Sequence, residues 1–161
     1  MSSAAPAPAV QAPRINLVAV IVSATLFYAI QAMWFTVFKD PWLNGLGKSI
    51  PEIMSELSGR PTWPLYAGAL ICNFIIAFVM AWIFVQVGVR GALAGIAWAA
   101  ILWFGFVATV MATNYSFELR RATLLALDAG CPLVGMLATG AILGAWRAKP
   151  RGGMPVAPQA R

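Results

Sequence analysis

The chain has 161 residues, of which 61% are apolar and 10% are charged, and its formal net charge is +6. An ordinary soluble domain has about 45–50% apolar and about 25% charged residues, so this composition excludes a water-soluble globular protein. Because the apolar residues recur in several long blocks, a single signal peptide does not explain them, and the sequence predicts an integral membrane protein.

The first segment, residues 1–13, is rich in Ala, Pro and Ser and lacks the basic start and apolar core of a signal peptide. We therefore expect a disordered tail. Residues 14–147 are expected to form a transmembrane domain whose first span covers residues 15–38 without a formal charge. At about 1.5 Å per residue, this span is long enough to cross a hydrocarbon core of about 30 Å.

The segment between the first two spans carries charges of both signs, so it lies outside the hydrocarbon. Ser49 and Glu52 have capping-box spacing, and an apolar face follows before Gly59. We predict one short interfacial helix here.

Three further apolar blocks predict spans two, three and four, at about residues 64–87, 91–113 and 124–146. Only Gly88, Val89 and Arg90 separate spans two and three, so these spans are expected to be antiparallel neighbours. Residues 148–161 are basic and rich in Pro and Gly, which predicts a second disordered tail. The predicted fold class is all-α, an integral membrane four-helix bundle with both chain ends on one side.

Tryptophan prefers the headgroup level of a membrane, and five tryptophans are predicted to anchor the bundle at its two faces. On the loop side the expected anchors are Trp34, Trp42 and Trp63. On the tail side they are Trp82 and Trp146. Trp98 and Trp103 lie deeper, and each needs a polar partner or burial for its N–H.

The orientation of the bundle depends on its basic residues. Six of the 11 Lys and Arg residues flank the tail side and five the loop side, a margin that favours both termini in the cytoplasm of a bacterial inner membrane. The lipid bilayer is the expected partner. Anionic headgroups are a simpler counter-charge for these residues than nucleic acid, so no nucleic-acid partner is predicted.

Small residues at four-residue spacing indicate close helix packing in the last two spans. Gly91 and Gly95 form one GxxxG motif in span three, and Gly140 and Gly144 form another in span four. The motifs have two interpretations: packing within the bundle, or a contact with another subunit.

Asp128 is the one charged residue expected inside a span. An ionisable group at membrane depth needs a partner, and the candidates are Arg120, Arg121, Lys39 and Asn114. Pro132 cannot donate to the Asp128 carbonyl, which leaves that oxygen available. Asp128 either forms a salt bridge at the membrane boundary that anchors the start of the helix, or it is part of a functional site.

A polar cluster is predicted at the loop-side mouth of the bundle, formed by Asn114, Glu118, Arg121 and Asp128. Deeper polar residues are few: Asn16, Gln31 and Asn73 are expected to act as caps or as hydrogen bonds between helices.

The missing residue types exclude several kinds of chemistry. The chain has no histidine, so it cannot form a Ser/His/Asp triad, an imidazole metal site or a histidine-held haem. Cys72 and Cys131 show no CxxC spacing, and they are either free thiols or a bridge. We predict no enzyme activity, no cofactor and no bound metal.

Several short motifs in order resemble a known family: Ile15 to Val20, Trp34-Phe35 with Phe38 and Trp42, residues 114–118, Asp128-Ala129-Gly130, and Gly140 to Trp146. Together they look like the small bacterial membrane family catalogued as domain of unknown function seventeen sixty-one, over about residues 14–147. The resemblance implies a four-span helical membrane protein and no established activity. Family members commonly have Tyr-His after the Asp-Ala-Gly, where this chain has Cys131 and Pro132.

Three functions are compatible with the sequence. The leading hypothesis is a structural or accessory membrane protein that associates with itself or with a larger membrane complex. The alternative is a small carrier or channel for a solute or protons that uses the polar mouth around Asp128. A third is an intramembrane enzyme in which Cys131 and Asp128 act as a pair.

Overall fold

The structure is a computed structural model, and it describes residues 14–146. In that range the chain forms α1 (Leu17–Val37), α2 (Lys39–Leu46), α3 (Ile50–Glu56), α4 (Trp63–Val87), α5 (Ala92–Leu102), a π-helical turn (Trp103–Ala108), α6 (Thr109–Phe117) and α7 (Ala122–Ala145). The two predicted tails, residues 1–13 and 148–161, lie outside the described residues.

Four helical stretches are long and apolar enough to cross a membrane. Span one is α1 and span two is α4. Span three is the continuous helix Ala92–Phe117, which contains α5, the π-helical turn and α6, and span four is α7. The predicted all-α membrane bundle is confirmed, and the protein is a multi-pass membrane protein.

Local sequence signals explain where the spans begin and end. The Asn16 side chain accepts a 3.3 Å hydrogen bond from the backbone N–H of Ala19, which caps the start of span one. Between spans two and three, Gly88 and Gly91 have φ angles of +78° and +91°. Residues with a Cβ rarely adopt this conformation, so the two glycines allow the tight turn.

Span four is the centre of the bundle, because it packs against each of the other three spans. Span one also packs along span two, whereas span three makes its extensive contacts with span four. The prediction that spans two and three are neighbours is wrong. Span three instead packs its small residues against span four. At this contact the N–H of Gly91 donates a 2.9 Å hydrogen bond to the carbonyl of Gly144.

The core lies where spans one, two and four meet. The buried residues of span one recur every three or four positions and are Ala19, Val20, Ser23, Ala24 and Phe27. The Phe27 ring is 1% exposed and fits against Gly135, where a Cβ would come within 2.1 Å of it. Glycine in span four therefore allows a large aromatic side chain to fill the centre of the bundle.

The connection between spans one and two contains two short helices, not the single predicted one. The predicted helix is α3, and its capping-box carboxylate, Glu52, accepts hydrogen bonds from the Ser49 N–H at 2.6 Å and the Ser49 hydroxyl at 2.8 Å. These bonds lower the pKa of Glu52 below its usual value. The additional helix, α2, follows span one after Phe38 and contacts the start of span four.

Candidate functional site

Asp128 lies in the second turn of span four, near the loop side of the bundle, and it is partly buried. Its carboxylate accepts a hydrogen bond from the hydroxyl of Tyr115, which lies in the last turns of span three. The ionisable group within span four is therefore partnered by a neutral donor from the neighbouring span. This bond joins spans three and four at the end opposite their glycine contact.

Arg120 extends this arrangement toward the surface. Its guanidinium forms an ion pair with Glu118 and lies 5.4 Å from the centre of the Tyr115 ring. The two charged side chains are 44% and 50% exposed, so the pair itself contributes about 0–1 kcal/mol to stability. Its position over the ring places a positive charge beside the Tyr115–Asp128 bond.

The predicted mouth residues do not form one cluster. Glu118 pairs with Arg120 and not with Arg121, whose guanidinium donates a 3.3 Å hydrogen bond to the carbonyl of Asn44 in α2. The Asn114 side chain is exposed. The structure therefore divides the four predicted residues into separate contacts.

The residue that sequence reasoning missed is Tyr115. None of the four candidate partners proposed for Asp128 is the one that the structure brings to it. A tyrosine at the end of a span usually indicates an anchor at the membrane interface, so its type and position alone did not single it out. Its contact with Asp128 depends on how span three turns back into span four.

Two tryptophans hold the backbone on either side of Asp128. The indole N–H of Trp34 donates to the carbonyl of Leu127 at 3.1 Å, and that of Trp103 donates to the carbonyl of Ala129 at 3.0 Å. Pro132 has no N–H to offer the carbonyl four residues earlier, so this turn is the weak part of the helix. Spans one and three thus supply hydrogen bonds to the turn that carries Asp128.

Trp34 was predicted to be an anchor at the membrane face, and its side chain is partly buried against span four. A Cβ at Gly130 would lie 3.0 Å from the ring, and the indole N–H is used by span four. Trp42 is partly buried, with its ring centre 5.6 Å from that of Phe35. The other three predicted anchors are exposed: Trp63 by 69%, Trp82 by 52% and Trp146 by 47%.

A π-helical turn, Trp103–Ala108, interrupts span three beside this site. No local residue pattern distinguishes this π-turn from an α-helix, so the turn was not predicted from the sequence. Such turns are frequent at functional sites, and this one begins at the tryptophan that binds the Ala129 carbonyl.

The four predicted packing glycines lie against one another. A Cβ on Gly95 would lie 2.0 Å from the backbone oxygen of Gly140, and one on Gly144 would lie 2.4 Å from the oxygen of Gly91. The two GxxxG motifs therefore pack against each other within the chain, which is the first of the two interpretations.

The deeper polar side chains lie apart from Asp128. Asn73 is buried and donates a 2.6 Å hydrogen bond to Gln31, which links spans one and two. The buried hydroxyls of Ser23 and Thr139 have no partner among the described residues. Within residues 14–146, no hydrogen bond joins these side chains to Tyr115 or Asp128.

The two cysteines are free thiols, so the alternative of a bridge is not realised. Cys72 is exposed and Cys131 is buried. Among residues 14–146, no group of three His, Cys, Asp or Glu side chains converges to hold a metal ion. What the site can do chemically is to hold or exchange a proton at the Asp128 carboxylate and the Tyr115 hydroxyl.

Comparison with known proteins gives one match. A family model described as "Protein of unknown function (DUF1761)" matches residues 18–144. No curated protein and no solved structure matches the chain. The matched range contains spans two and three completely, and spans one and four except for Leu17 and Ala145. It includes Tyr115, Asp128 and both tryptophans that bind beside Asp128.

Proposed function

The chain belongs to the DUF1761 family of proteins of unknown function, and from that premise we propose that it is a structural or accessory membrane protein. In this proposal it associates with a second copy of itself or with a larger membrane complex. The observation that carries the proposal is the unequal packing of the four spans.

Span three is the least covered of the spans. In its most apolar stretch 11% of residues are buried, against 28%, 28% and 33% in spans one, two and four. Its exposed side chains are large and include aromatic rings: Leu93, Ile101, Phe104, Phe106, Val110 and Phe117. We call this surface the open face of span three, and it is the surface on which we expect a partner helix to pack.

The glycine contacts support the choice of this face. The stripes at Gly91 and Gly95 and at Gly140 and Gly144 are already filled by each other's backbone. A partner would therefore meet the opposite side of span three, where aromatic and aliphatic side chains can interdigitate. Association between helices in lipid depends on such packing, because lipid tails are as apolar as the side chains.

Cysteine crosslinking in native membranes tests the proposal. In a Cys72→Ser background, Phe106→Cys places a thiol on the open face and Ile75→Cys places one on the exposed side of span two at similar depth. We expect copper-phenanthroline oxidation to give a dimer, or a larger adduct with another protein, from Phe106→Cys alone. Equal crosslinking of both variants, or a monomer from both, would refute the association.

A second candidate function is a small carrier or channel whose mouth contains Asp128. The observation that favours it is the Tyr115–Asp128 hydrogen bond beside the Arg120–Glu118 pair. A carboxylate with a hydroxyl partner at membrane depth is a group that can take up and release a proton. In this case Asp128→Asn would abolish proton or solute flux into vesicles while the amount of protein stayed unchanged. A fall in abundance with the same flux per molecule would support an anchoring role instead.

We also propose that the protein lies in a bacterial inner membrane with both ends in the cytoplasm. The Asn16 side chain donates a 3.3 Å hydrogen bond to the carbonyl of Trp146, so the two ends of the described bundle meet on one side. The excess of basic residues on that side supports the orientation. Fusions of green fluorescent protein to either terminus should fluoresce, whereas alkaline phosphatase fusions there should be inactive. The opposite pattern would reverse the orientation.

Finally, we propose that the protein is not an enzyme. The intramembrane pair considered for catalysis is not supported by the contacts, because Cys131 is 1% exposed and Asp128 is bonded to Tyr115. A catalytic thiol must be reachable by its substrate. In the folded protein we expect Cys131 to resist a small maleimide at neutral pH in a Cys72→Ser variant. Rapid labelling would reopen the enzymatic hypothesis.

A further inference from the structure

Two hydroxyl side chains are buried inside the bundle, those of Ser23 in span one and Thr139 in span four. They are 0% and 1% exposed, and neither hydroxyl has a hydrogen-bond partner among residues 14–146. A Ser or Thr hydroxyl within a helix can satisfy itself by donating to the carbonyl four residues earlier. Five other hydroxyls in spans one and three do so, those of Thr25, Thr36, Thr109, Thr113 and Ser116. The two buried hydroxyls differ, and they are available to a group outside their own helices.

The contacts between spans one and four place these two hydroxyls opposite each other. Two contacts define how the antiparallel helices are paired, and they join Asn16 to Trp146 and Phe27 to Gly135. Ser23 lies seven residues after Asn16 and four residues before Phe27. In span four the spacing is mirrored, because Thr139 lies seven residues before Trp146 and four residues after Gly135. Steps of four and seven residues keep side chains on one face of a helix, so Ser23 and Thr139 share one level of this interface.

The surroundings of the pair are uncharged. The other buried residues of span one are apolar: Ala19, Val20, Ala24 and Phe27. Asp128, the carboxylate of span four, precedes Thr139 by eleven residues, about 17 Å along the helix. A hard cation needs several oxygen ligands, usually with carboxylates among them, which two hydroxyls do not supply. A hydroxyl both donates and accepts, so the ligand that suits this pair is a small neutral molecule that does both.

We propose that Ser23 and Thr139 together bind one water molecule between spans one and four. The water donates to one hydroxyl and accepts from the other, and its second hydrogen can reach a backbone carbonyl, which has a second lone pair to offer. Buried waters in proteins typically make about three such bonds to polar groups that have no other partner. Hydroxyls left unpaired in an apolar interior are costly, and lipid tails cannot satisfy them. The water therefore joins spans one and four at a level where neither span supplies a partner for the other.

A depression at the tail-side end of the bundle provides a route for this water. It has space for water, and Ala81 is the lining residue that lies deepest in span two. Span one pairs with span two through the hydrogen bond between Asn73 and Gln31. Ser23 lies eight residues before Gln31 and Ala81 lies eight residues after Asn73, so the two share one level. Water that enters the depression from the tail side therefore comes to the depth of the hydroxyl pair.

Water-edited solid-state NMR of the full-length protein in bilayers of deuterated lipid tests the proposal. The method measures how fast magnetisation passes from water protons to nearby carbon nuclei. In the wild type we expect the Cβ atoms of Ser23 and Thr139 to receive it several times faster than those of Ala77 and Ala99. These two alanines are 0% exposed, so they report on buried positions that have no hydroxyl.

Three variants test whether the two hydroxyls act together. Ser23→Ala removes one partner of the water, and the transfer to the Thr139 Cβ should then fall to the rate of Ala77. Thr139→Val keeps the shape of the side chain and should have the same effect on the Ser23 Cβ. The matched control is Thr25→Ala, which removes a hydroxyl of the same helix that already donates to the Ile21 carbonyl. It should leave the transfer to both carbons unchanged.

The chemical shifts of the same samples show whether each variant is folded. If Ser23→Ala does not fold, Thr139→Val decides the question from the Ser23 carbon. Slow transfer to both hydroxyl carbons in the wild type would mean that no water lies between them, and it would overturn the proposal. Transfer at the wild-type rate in folded Ser23→Ala or Thr139→Val would equally overturn it, since the remaining hydroxyl would then not depend on its partner.

Discussion

The indole N–H of Trp103 donates a 3.0 Å hydrogen bond to the carbonyl oxygen of Ala129. Ala129 lies in the turn before Pro132, where span four lacks an N–H for the Asp128 carbonyl. Because Trp34 makes the corresponding bond to Leu127, spans one and three both stabilise the turn that proline weakens. The backbone around Asp128 is therefore held by residues of two other spans.

Replacement of Trp103 by Phe should measure the strength of this contact. The variant keeps an aromatic ring but leaves the Ala129 carbonyl without its indole donor, so we expect a loss of about 0.5–1.5 kcal/mol in the free energy of unfolding. Trp98→Phe is the control, since Trp98 is also partly buried in span three. Denaturant titration in micelles gives both values. Equal losses in the two variants would show that ring packing, and not the hydrogen bond, is what matters.

Gly95→Ala should damage the contact between spans three and four. The new Cβ would lie 2.0 Å from the Gly140 backbone oxygen, and a backbone cannot rotate away as a side chain can. The helices must separate, and overpacking of this kind costs about 1–3 kcal/mol. Gly68→Ala in span two is the matched control, because its Cβ would meet nothing within 4 Å. We expect that control to be neutral or to gain up to about 1 kcal/mol from helix propensity. If thermal unfolding shows equal stability for both variants, the glycine contact is not structurally important.

Tyr115→Phe and Asp128→Asn should have different effects on stability. Removing the Tyr115 hydroxyl leaves the Asp128 carboxylate without its donor, and hydrogen bonds to charged groups contribute about 1.5–3 kcal/mol. Asp128→Asn keeps an oxygen that accepts from Tyr115, so its loss should be smaller. The double variant should be more stable than Tyr115→Phe alone, because an amide without a donor costs less than a carboxylate. A double-mutant cycle from unfolding curves tests this order, and additive losses would mean that the two residues do not interact.

Helix α3 should lose stability in acid through Glu52. Hydrogen bonds from the Ser49 N–H and hydroxyl lower the pKa of this carboxylate below its ordinary value of 4.5. A lowered pKa in the folded state means that the stabilisation is complete above about pH 4.5 and is lost as the pH falls through the folded pKa. Amide hydrogen exchange in α3, corrected for intrinsic rates, should therefore accelerate below pH 4.5.

The control for this effect is Glu52→Gln, which does not titrate and still suits a capping box. Its α3 amides should show the same protection at both ends of the acid range. A pH dependence in Glu52→Gln equal to that of the wild type would assign the effect to another group.

Much of the fold was predictable from the sequence because its signals are local. The four spans follow from uncharged stretches of sufficient length, and α3 follows from the capping-box pair Ser49 and Glu52. The glycine spacing indicated close packing, but it could not say whether the partner helix belonged to the same chain. Helix α2 was missed because its residues, which include Pro41, Gly45 and charges of both signs, are as typical of a loop as of a short helix.

The candidate site was less predictable. Asp128 stood out as the charged residue of a span, but its partner Tyr115 did not, and the predicted neighbours Glu118 and Arg121 have other partners. The choice among nearby polar groups depends on the direction in which each side chain leaves its helix. That direction is set by the π-turn in span three and by the turn into span four.

The sequence by itself determined that this chain has four apolar segments that can cross a membrane, and to which family it belongs. The spans depend on the transfer of contiguous apolar residues from water to lipid. This transfer is a property of each segment and does not depend on the rest of the fold. Only the tertiary structure decided that span four is central, that spans two and three diverge after a tight turn, and that Trp34, Trp103 and Tyr115 surround Asp128. The physical reason is that in lipid every span is equally apolar outside, so shape and hydrogen bonds between distant residues choose the neighbours.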